Sequence, residues 1–283
     1  MISDKIVVII KLKDIKIGDG NMNMNETIDL INKRVSLRKY AGKEVSDEIL
    51  DVVLNSAMRA PTAGNVMMYS MIVVRDEEKK KKLAKTCDNQ PFIANAPVVI
   101  IFVADAYRLN RYFEVSGVEE YCAKKNEEVK TPDLAQLFLA AGDAFIAAQN
   151  AVVAAESLGL GTCYIGDIVE NYEIHREMFN LPNWAMPVAM LCLGYYPEDY
   201  PRSTKSRFDK KYIVFDEEYK ELSKEDYEDM YKEAEGNTPK TNIYNAENFG
   251  QYLYGRKFGC DFANEMDRSL RIAIEKWFLK TEK

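Results

Sequence analysis

The chain has 283 residues, a net charge of −7 and 47% hydrophobic residues, so it can bury a core as one domain or complete a core by dimerising. The negative charge argues against nucleic acid as a partner, and no apolar run reaches the roughly 18 to 20 residues of a membrane span. The five cysteines contain no Cys-x-x-Cys pair, which predicts no metal or iron–sulfur site and favours a reducing, cytoplasmic compartment: Cys87, Cys122, Cys163, Cys192 and Cys260.

Hydrophobic periodicity and turn residues predict an α+β chain without internal repeats. Residues 1–24, including the apolar run 6–10, are interpreted as a frayed N-terminal extension. The body, 25–215, is predicted to contain helices from about Thr27 and over 47–60, 77–86, 133–158 and 170–180, and strands over 71–74, 98–104, 162–165 and 188–194. Residues 105–132 are polar, contain tyrosines and lack a clear period, which predicts a mobile insertion.

The negative charge is concentrated near the C-terminus. Residues 216–235 contain ten acidic residues and three lysines. Their large apolar residues follow helical spacing, which predicts a solvated helix with an aromatic stripe. Segment 216–283, about seventy residues, is too short to be securely stable alone. We expect this C-terminal helical extension to dock on a partner subunit; the alternative is that it packs on its own chain.

Three short segments carry the functional signal. Arg34, Ser36 and Arg38 place two guanidinium groups and a hydroxyl at alternate positions, a suitable clamp for phosphate because guanidinium pairs bidentately with phosphate oxygens and stays charged. Residues 60–69 form a turn of small residues after a helix that Pro61 ends. Residues 202–207 form a basic loop after an apolar strand. Taken singly, each segment is more typical of an exposed charge cluster or a turn.

In this order and spacing, the segments resemble the nitroreductase family. Pro61, Thr62 and Asn65 match the family pattern Pro-Ser-x-x-Asn-x-Gln-Pro-Trp, whereas Met-Met-Tyr at 67–69 replaces its Gln-Pro-Trp. Residues 159–168 resemble the family's Gly-Leu-Gly-Thr-x-Trp-Ile-Gly stretch. The departure at 67–69 leaves the expected fold intact and concerns the substrate side of the pocket.

The resemblance implies a nitroreductase-like fold, with a central, mostly antiparallel sheet flanked by helices and a homodimer with flavin at the subunit interface. It implies FMN as cofactor, NADH or NADPH as co-substrate, and nitroaromatics, quinones or similar small molecules as acceptors in a ping-pong reaction. It implies no catalytic side chain, because backbone N–H groups near the Ile-Gly step face the flavin N5. Those backbone groups are the ones of Gly166 and Asp167. The cofactor-binding residues so implied are Arg34, Ser36, Arg38, Asn65, Gly166, Lys205 and Arg207. The insertion 105–132 is a candidate lid.

The only histidine, His175, falls in a polar helical stretch and is expected to face solvent. No Ser-His-Asp or Cys-His site is supported, and flavin chemistry fits a chain with so few catalytic side chains. Two alternatives remain open: a reductive dehalogenase-like flavoenzyme, although 105–132 contains no Glu-x-x-x-Tyr pair, and a flavin-storing or redox-sensing binding protein. Steady-state oxidation of NAD(P)H separates the last from an enzyme.

Overall fold

The computed structural model of the chain describes residues 14–17, 20–23 and 25–278. The first two segments are strands β1 (Asp14–Ile17) and β2 (Gly20–Asn23), which pair in antiparallel register and precede helix α1 (Glu26–Lys33). Part of the segment expected to be a frayed extension therefore forms a two-stranded sheet. The apolar run 6–10 lies outside the described residues.

A four-stranded antiparallel sheet forms the centre of the fold. Its strands are β3 (Tyr69–Val74), β4 (Val98–Asp105), β5 (Leu160–Ile165) and β6 (Ala185–Tyr195), in the spatial order β3-β4-β6-β5. Every residue of β4 is buried, which explains its unbroken apolar run: both of its faces are covered, so no alternation with polar residues is needed. The predicted α+β fold with a central antiparallel sheet is confirmed.

Helices cover both faces of this sheet. Alternate residues of β4 belong to two separate buried clusters. The first cluster includes α2 (Asp47–Met58) and α7 (Leu134–Ser157), and the second includes α3 (Glu77–Thr86) and α4 (Pro91–Ala94). Helix α8 (Tyr172–Met178) follows β5. The first cluster thus lies between the sheet and α7.

Helix α7 is the longest helix in the described residues. Asp133 and Gln136 form a capping box at its start. Its inner face is lined by fully buried alanines, whose small side chains let the helix approach the sheet closely: Ala140, Ala144, Ala147, Ala148 and Ala151. Among the described helices, α7 alone is long and apolar enough to cross a membrane, with a mean hydropathy of 1.5. The absence of a long uninterrupted apolar run in the sequence did not predict this. Core helices pass the same test, and the packing of α7 on the sheet accounts for its inner face.

The insertion at 105–132 differs from its prediction because it contains two helices. These are α5 (Tyr107–Val115) and α6 (Val118–Ala123), separated by Gly117 in the left-handed region at φ 71°. The carboxylate of Asp105 accepts a hydrogen bond from the Arg108 N–H at 3.1 Å. This bond satisfies one of the unpaired N–H groups at the start of α5.

The C-terminal segment forms helices α9 (Lys224–Gly236), α10 (Phe249–Lys257) and α11 (Asp261–Phe278). Helix α11 packs on its own chain: Trp277 is buried and donates from Nε1 to the Asp133 carbonyl, and Ser269 Oγ accepts from the Tyr172 N–H. Helix α11 thus contributes buried residues to the core of its own subunit, which was the alternative to docking; docking of the segment on a partner subunit stays a prediction. Helices α9 and α10 have no buried residues.

Candidate flavin site

The predicted phosphate clamp lies alongside β5. Arg34 caps the C-terminal end of α1, and the chain then continues in extended form, with Ser36 in a parallel bridge to Thr162. The Leu37 N–H donates to the Thr162 carbonyl at 2.8 Å, and the Leu37 side chain is fully buried. Because side chains alternate along an extended chain, burial of Leu37 directs Ser36 and Arg38 to the opposite side.

Both arginines of the clamp act on the Cys163 thiol, and both remain available to bind an anion. Burial raises the pKa of Cys163, and Arg38, Arg34 and a hydrogen bond from Ser36 oppose this rise. Arg38 also lies 5.8 Å from the centre of the Phe92 ring. Within the described part of the chain, neither arginine forms an ion pair with a carboxylate. The structure thus brings Arg34, Ser36 and Arg38 together, as the sequence predicted.

Strand β5, which pairs with this clamp, is closely packed at Gly161 and buries the hydroxyl of Thr162. Gly161 has no room for a side chain, since a Cβ there would lie 2.5 Å from Leu37 Cδ2 and 2.6 Å from Tyr196 Cζ. Gly159, at φ 79°, follows the C-terminal end of α7, where glycine readily adopts the left-handed conformation. The neighbouring hydroxyl of Thr162 is buried and, among the described residues, has no hydrogen-bond partner. The backbone of the clamp thus packs directly on β5 at Gly161 and Thr162.

The loop around Asn65 is held in a strained form by an acidic residue that sequence analysis missed. Gly64, Asn65 and Met67 all have positive φ, near 55–59°. Asp143, buried in α7, accepts hydrogen bonds from the N–H groups of Ala63 at 2.9 Å and Met68 at 3.2 Å. Asn65 is exposed on this loop, and within the described residues no hydrogen bond joins it to the clamp. The available signal was a single carboxylate within the mostly apolar stretch 134–155, which indicates a buried acid but not its partner.

The turn predicted to face the flavin N5 is a short 3₁₀ segment, Gly166–Val169. Gly166 is exposed, with open space where a Cβ would be. The Asp167 carboxylate accepts from Gln90 Nε2 at 3.1 Å, and the Ile168 carbonyl lies 2.8 Å from His175 Nδ1. The turn is therefore fixed from beneath, while its first residue stays open to a ligand.

His175 is buried, so the expectation that it faces solvent is wrong. Its Nε2 lies 2.7 Å from the Thr86 hydroxyl, and burial lowers its pKa, with Lys82 contributing to the lowering and the Ile168 hydrogen bond opposing it. A carbonyl only accepts, so Nδ1 carries the proton and the neutral ring accepts at Nε2. Its partners are distant in sequence, and the polar residues around it in the chain gave no sign of them.

Glu170, directly after the turn, is a buried acid. Burial is the main cause that raises its pKa to about 7, and the Asp167 carboxylate is the second. Its Oε2 atom has no hydrogen-bond partner within the described residues. Asp88 and Glu265 add to the rise. Glu170 therefore titrates close to neutral pH.

The basic loop reaches the clamp through a residue other than those predicted. Arg202 stacks 3.8 Å from the centre of the Tyr196 ring and lies 4.0 Å from the buried Glu156 carboxylate, which also accepts from the Tyr196 hydroxyl. Burial raises the pKa of Glu156, and the Tyr196 hydrogen bond and the charges of Arg202 and Arg34 oppose this rise. Lys205 and Arg207 are exposed and, in the described chain, form no ion pair or hydrogen bond. Their place beside the clamp stays a prediction.

Comparison with known proteins identifies the family. The model of the nitroreductase family matches residues 31–195. Two FMN reductases of Bacillus subtilis (strain 168) are similar: the NADPH enzyme is 34% identical over 61% of this chain and 66% of its own length, and the NAD(P)H enzyme is 36% identical over 64% and 69%. The solved structure of NfrA2 from B. megaterium superposes with a TM-score of 0.75 and 32% identity, covering 92% of this chain and all of that one.

The chain therefore belongs to the nitroreductase family, as its motifs predicted. The matched segment spans just under two thirds of the NADPH-dependent relative. A "CR(VI) reductase" of Pseudomonas sp. (strain G-1) is 33% identical over 59% of this chain and 65% of its own length.

Proposed function

We propose that this protein is an FMN-dependent oxidoreductase that transfers electrons from NADH or NADPH to nitroaromatics, quinones or similar small acceptors. The observation that carries the proposal is the extended segment 34–38, which presents a serine between two arginines that form no ion pair with a carboxylate among the described residues. The class of enzyme is shown by the relatives, which are FMN reductases dependent on NADPH or NAD(P)H.

The residues present fit an FMN phosphate. Arg34, Arg38 and Ser36 supply two charges and a hydroxyl, and a dianion between the guanidinium groups relieves their mutual repulsion. Asn65 lies on the strained loop held by Asp143. Lys205 and Arg207 complete the proposed phosphate contacts. Bound FMN supplies a carrier that accepts a hydride and passes electrons on.

The open turn is the proposed contact with the flavin ring. Gly166 leaves space for a planar ligand to approach the backbone, and Gln90 and His175 fix the turn from the other side. The N–H groups of Gly166 and Asp167 are proposed to favour negative charge on the reduced ring. Because both co-substrates would use this one face in turn, ping-pong kinetics are expected, seen as parallel double-reciprocal lines.

A homodimer is the proposed assembly. The outer face of α7 exposes large apolar side chains, among them Phe138 and Phe145, beside an apolar groove of ≈ 710 Å³ between α7, β6 and α11. An exposed apolar patch with a groove is typical of a protein–protein interface. A second copy would cover it. A cytoplasmic location is proposed from the five free cysteines, with neither nucleic acid nor membrane as a partner.

Cofactor analysis and reduction test the function. Purified protein should be yellow and release about one FMN per chain, and anaerobic NADH or NADPH should bleach the flavin absorbance. An added quinone or nitroaromatic should restore the absorbance. FAD in place of FMN, or no flavin after reconstitution, would contradict the cofactor; FMN that neither NADH nor NADPH reduces would indicate a binding protein.

A further inference from the structure

The acidic helix α9 packs against the basic loop that follows β6. The Phe208 ring meets Tyr231 edge-on, with centroids 5.1 Å apart, and Ser206 Oγ donates to Glu233 Oε2 at 3.1 Å. Tyr231 in turn lies 5.9 Å from Phe249 of α10, measured between ring centroids. The stretch that the sequence presents as a solvated acidic helix thus supports this loop.

A second set of contacts fixes the chain just after the loop. Asp229 of α9 accepts from Lys211 Nζ at 3.1 Å and from the hydroxyl of Tyr212, whose ring is buried. These hydrogen bonds lower the pKa of Asp229. The loop is consequently attached to α9 at Ser206, at Phe208 and again at Lys211 and Tyr212.

The loop uses alternate residues for these contacts. Residues 201–209 contain no helix or turn. Ser206 and Phe208 contact α9, and Lys205 and Arg207 alternate with them along the loop. Both are exposed and, in the part of the chain described, have no ion pair or hydrogen bond.

The carboxylates of α9 could pair with Lys205 and Arg207, so their actual partners decide whether the two cations can bind an anion. A helix so rich in carboxylates beside two cations would be expected to pair with them and so block an anion. Two of its carboxylates are instead hydrogen-bonded to other residues, Glu233 to Ser206 and Asp229 to Lys211 and Tyr212. Lys205 and Arg207 therefore keep their charge available.

We propose that α9 is a positioning element for the flavin phosphate loop, holding residues 205–207 so that Lys205 and Arg207 meet the FMN phosphate together. This inference rests on the proposed function. Long basic side chains lose conformational entropy when they bind a ligand. A loop that is already held in its binding conformation loses less conformational entropy on binding. The C-terminal extension would then act on cofactor affinity without touching FMN.

Variants of Tyr231 and Glu233 test this role in the full-length protein. Apo-protein is titrated with FMN by quenching of flavin fluorescence. Tyr231→Ala and Glu233→Gln should each raise the FMN Kd, the first by about tenfold, the cost of ordering one or two long side chains. Tyr231→Phe keeps the ring contact and should bind as the parent does. Glu228→Gln is the matched control, because Glu228 pairs with Lys224 on the same helix and makes no contact with the loop.

Arg207→Ala separates failure of this inference from failure of the proposed site. If Arg207→Ala weakens FMN binding while Tyr231→Ala and Glu233→Gln do not, α9 has no positioning role. If all three bind as the parent does, the phosphate lies elsewhere and the site itself is misassigned. In the double variant, Tyr231→Ala should cost less affinity than it does alone, because only Lys205 then remains for α9 to position. Fully additive losses in Kd would overturn the inference, since they would indicate a general structural effect.

Discussion

The Nδ1 atom of His175 lies 2.8 Å from the carbonyl oxygen of Ile168, inside a fully buried site beneath the turn that begins at Gly166. The neutral imidazole thus holds the backbone of the proposed flavin-facing turn while making no contact with a ligand. Gln90 holds the same turn at Asp167. One histidine, distant from the surface, connects the end of α3 to the candidate active site.

Replacing His175 by phenylalanine should destabilise the protein by about 1 to 3 kcal/mol, because the buried Ile168 carbonyl loses its donor. Urea unfolding of the parent and the variant at pH 7 measures the difference. Tyr121→Phe, at an exposed ring on α6, is the control and should leave the free energy of unfolding unchanged. A His175→Phe variant as stable as the parent would show that this hydrogen bond contributes nothing.

The pH dependence of stability should contain two opposing contributions. The pKa of His175 is lowered from 6.5, so just below pH 6.5 the unfolded chain binds more protons and the free energy of unfolding decreases as pH falls. The pKa of Glu170 is raised from 4.5 to about 7, so between these values the folded chain binds more protons and the free energy of unfolding decreases as pH rises.

Single variants separate these contributions. With His175→Phe, stability between pH 5 and 7 should decrease more steeply as pH rises, since the Glu170 contribution acts alone. With Glu170→Gln, stability over the same range should increase with pH. Urea unfolding at several pH values measures both slopes, and identical slopes in the two variants would contradict the assigned pKa shifts.

Local patterns predicted the elements better than the contacts among them. The helix predicted over 77–86 matches α3, and the strand predicted over 98–104 differs from β4 by one residue. The helices within 105–132 were missed because polar residues and tyrosines obscure their period. Strands β5 and β6 begin two and three residues earlier than predicted, since pairing with neighbours extends them beyond their most apolar cores.

The candidate site was predictable only in part. The clamp motif identified Arg34, Ser36 and Arg38, but its attachment to β5 at Thr162 depends on a pairing between segments far apart in the chain. Asp143 binds the backbone of Ala63, eighty residues away, and no local pattern reports such a bond. Resemblance to a family supplied the order of the motifs, and the structure supplied the supporting residues.

Gly161→Ala should destabilise the clamp. The added methyl group would lie within 2.6 Å of Leu37 and Tyr196, so the strand or its neighbours must shift, at a cost of about 1 to 3 kcal/mol. Gly42→Ala is the control, since open space surrounds that position. Thermal unfolding of both variants measures the effect, and equal midpoints would mean that the strand accommodates the methyl group freely.

Phe138→Glu should disrupt the proposed dimer. Phe138 is 79% exposed on the outer face of α7, beside the apolar groove, and a charge there would be costly to bury in an interface. Sedimentation velocity should show a dimer for the parent and a monomer for the variant. Val115→Glu, 77% exposed on α5, should leave the dimer intact. A dimeric Phe138→Glu protein would exclude this face from the interface.

The most direct test of the account is FMN binding by variants of the clamp. Apo-protein of the parent should bind about one FMN per chain, and Arg34→Ala and Arg38→Ala should each weaken binding by about 1.5 to 3 kcal/mol, as expected for loss of a charge-assisted hydrogen bond. Arg271→Ala is the control and should bind as the parent does, because Arg271 pairs with Asp267 on the exposed face of α11. If both clamp variants retain the parent's affinity for FMN, segment 34–38 does not hold the phosphate and the proposed site is wrong.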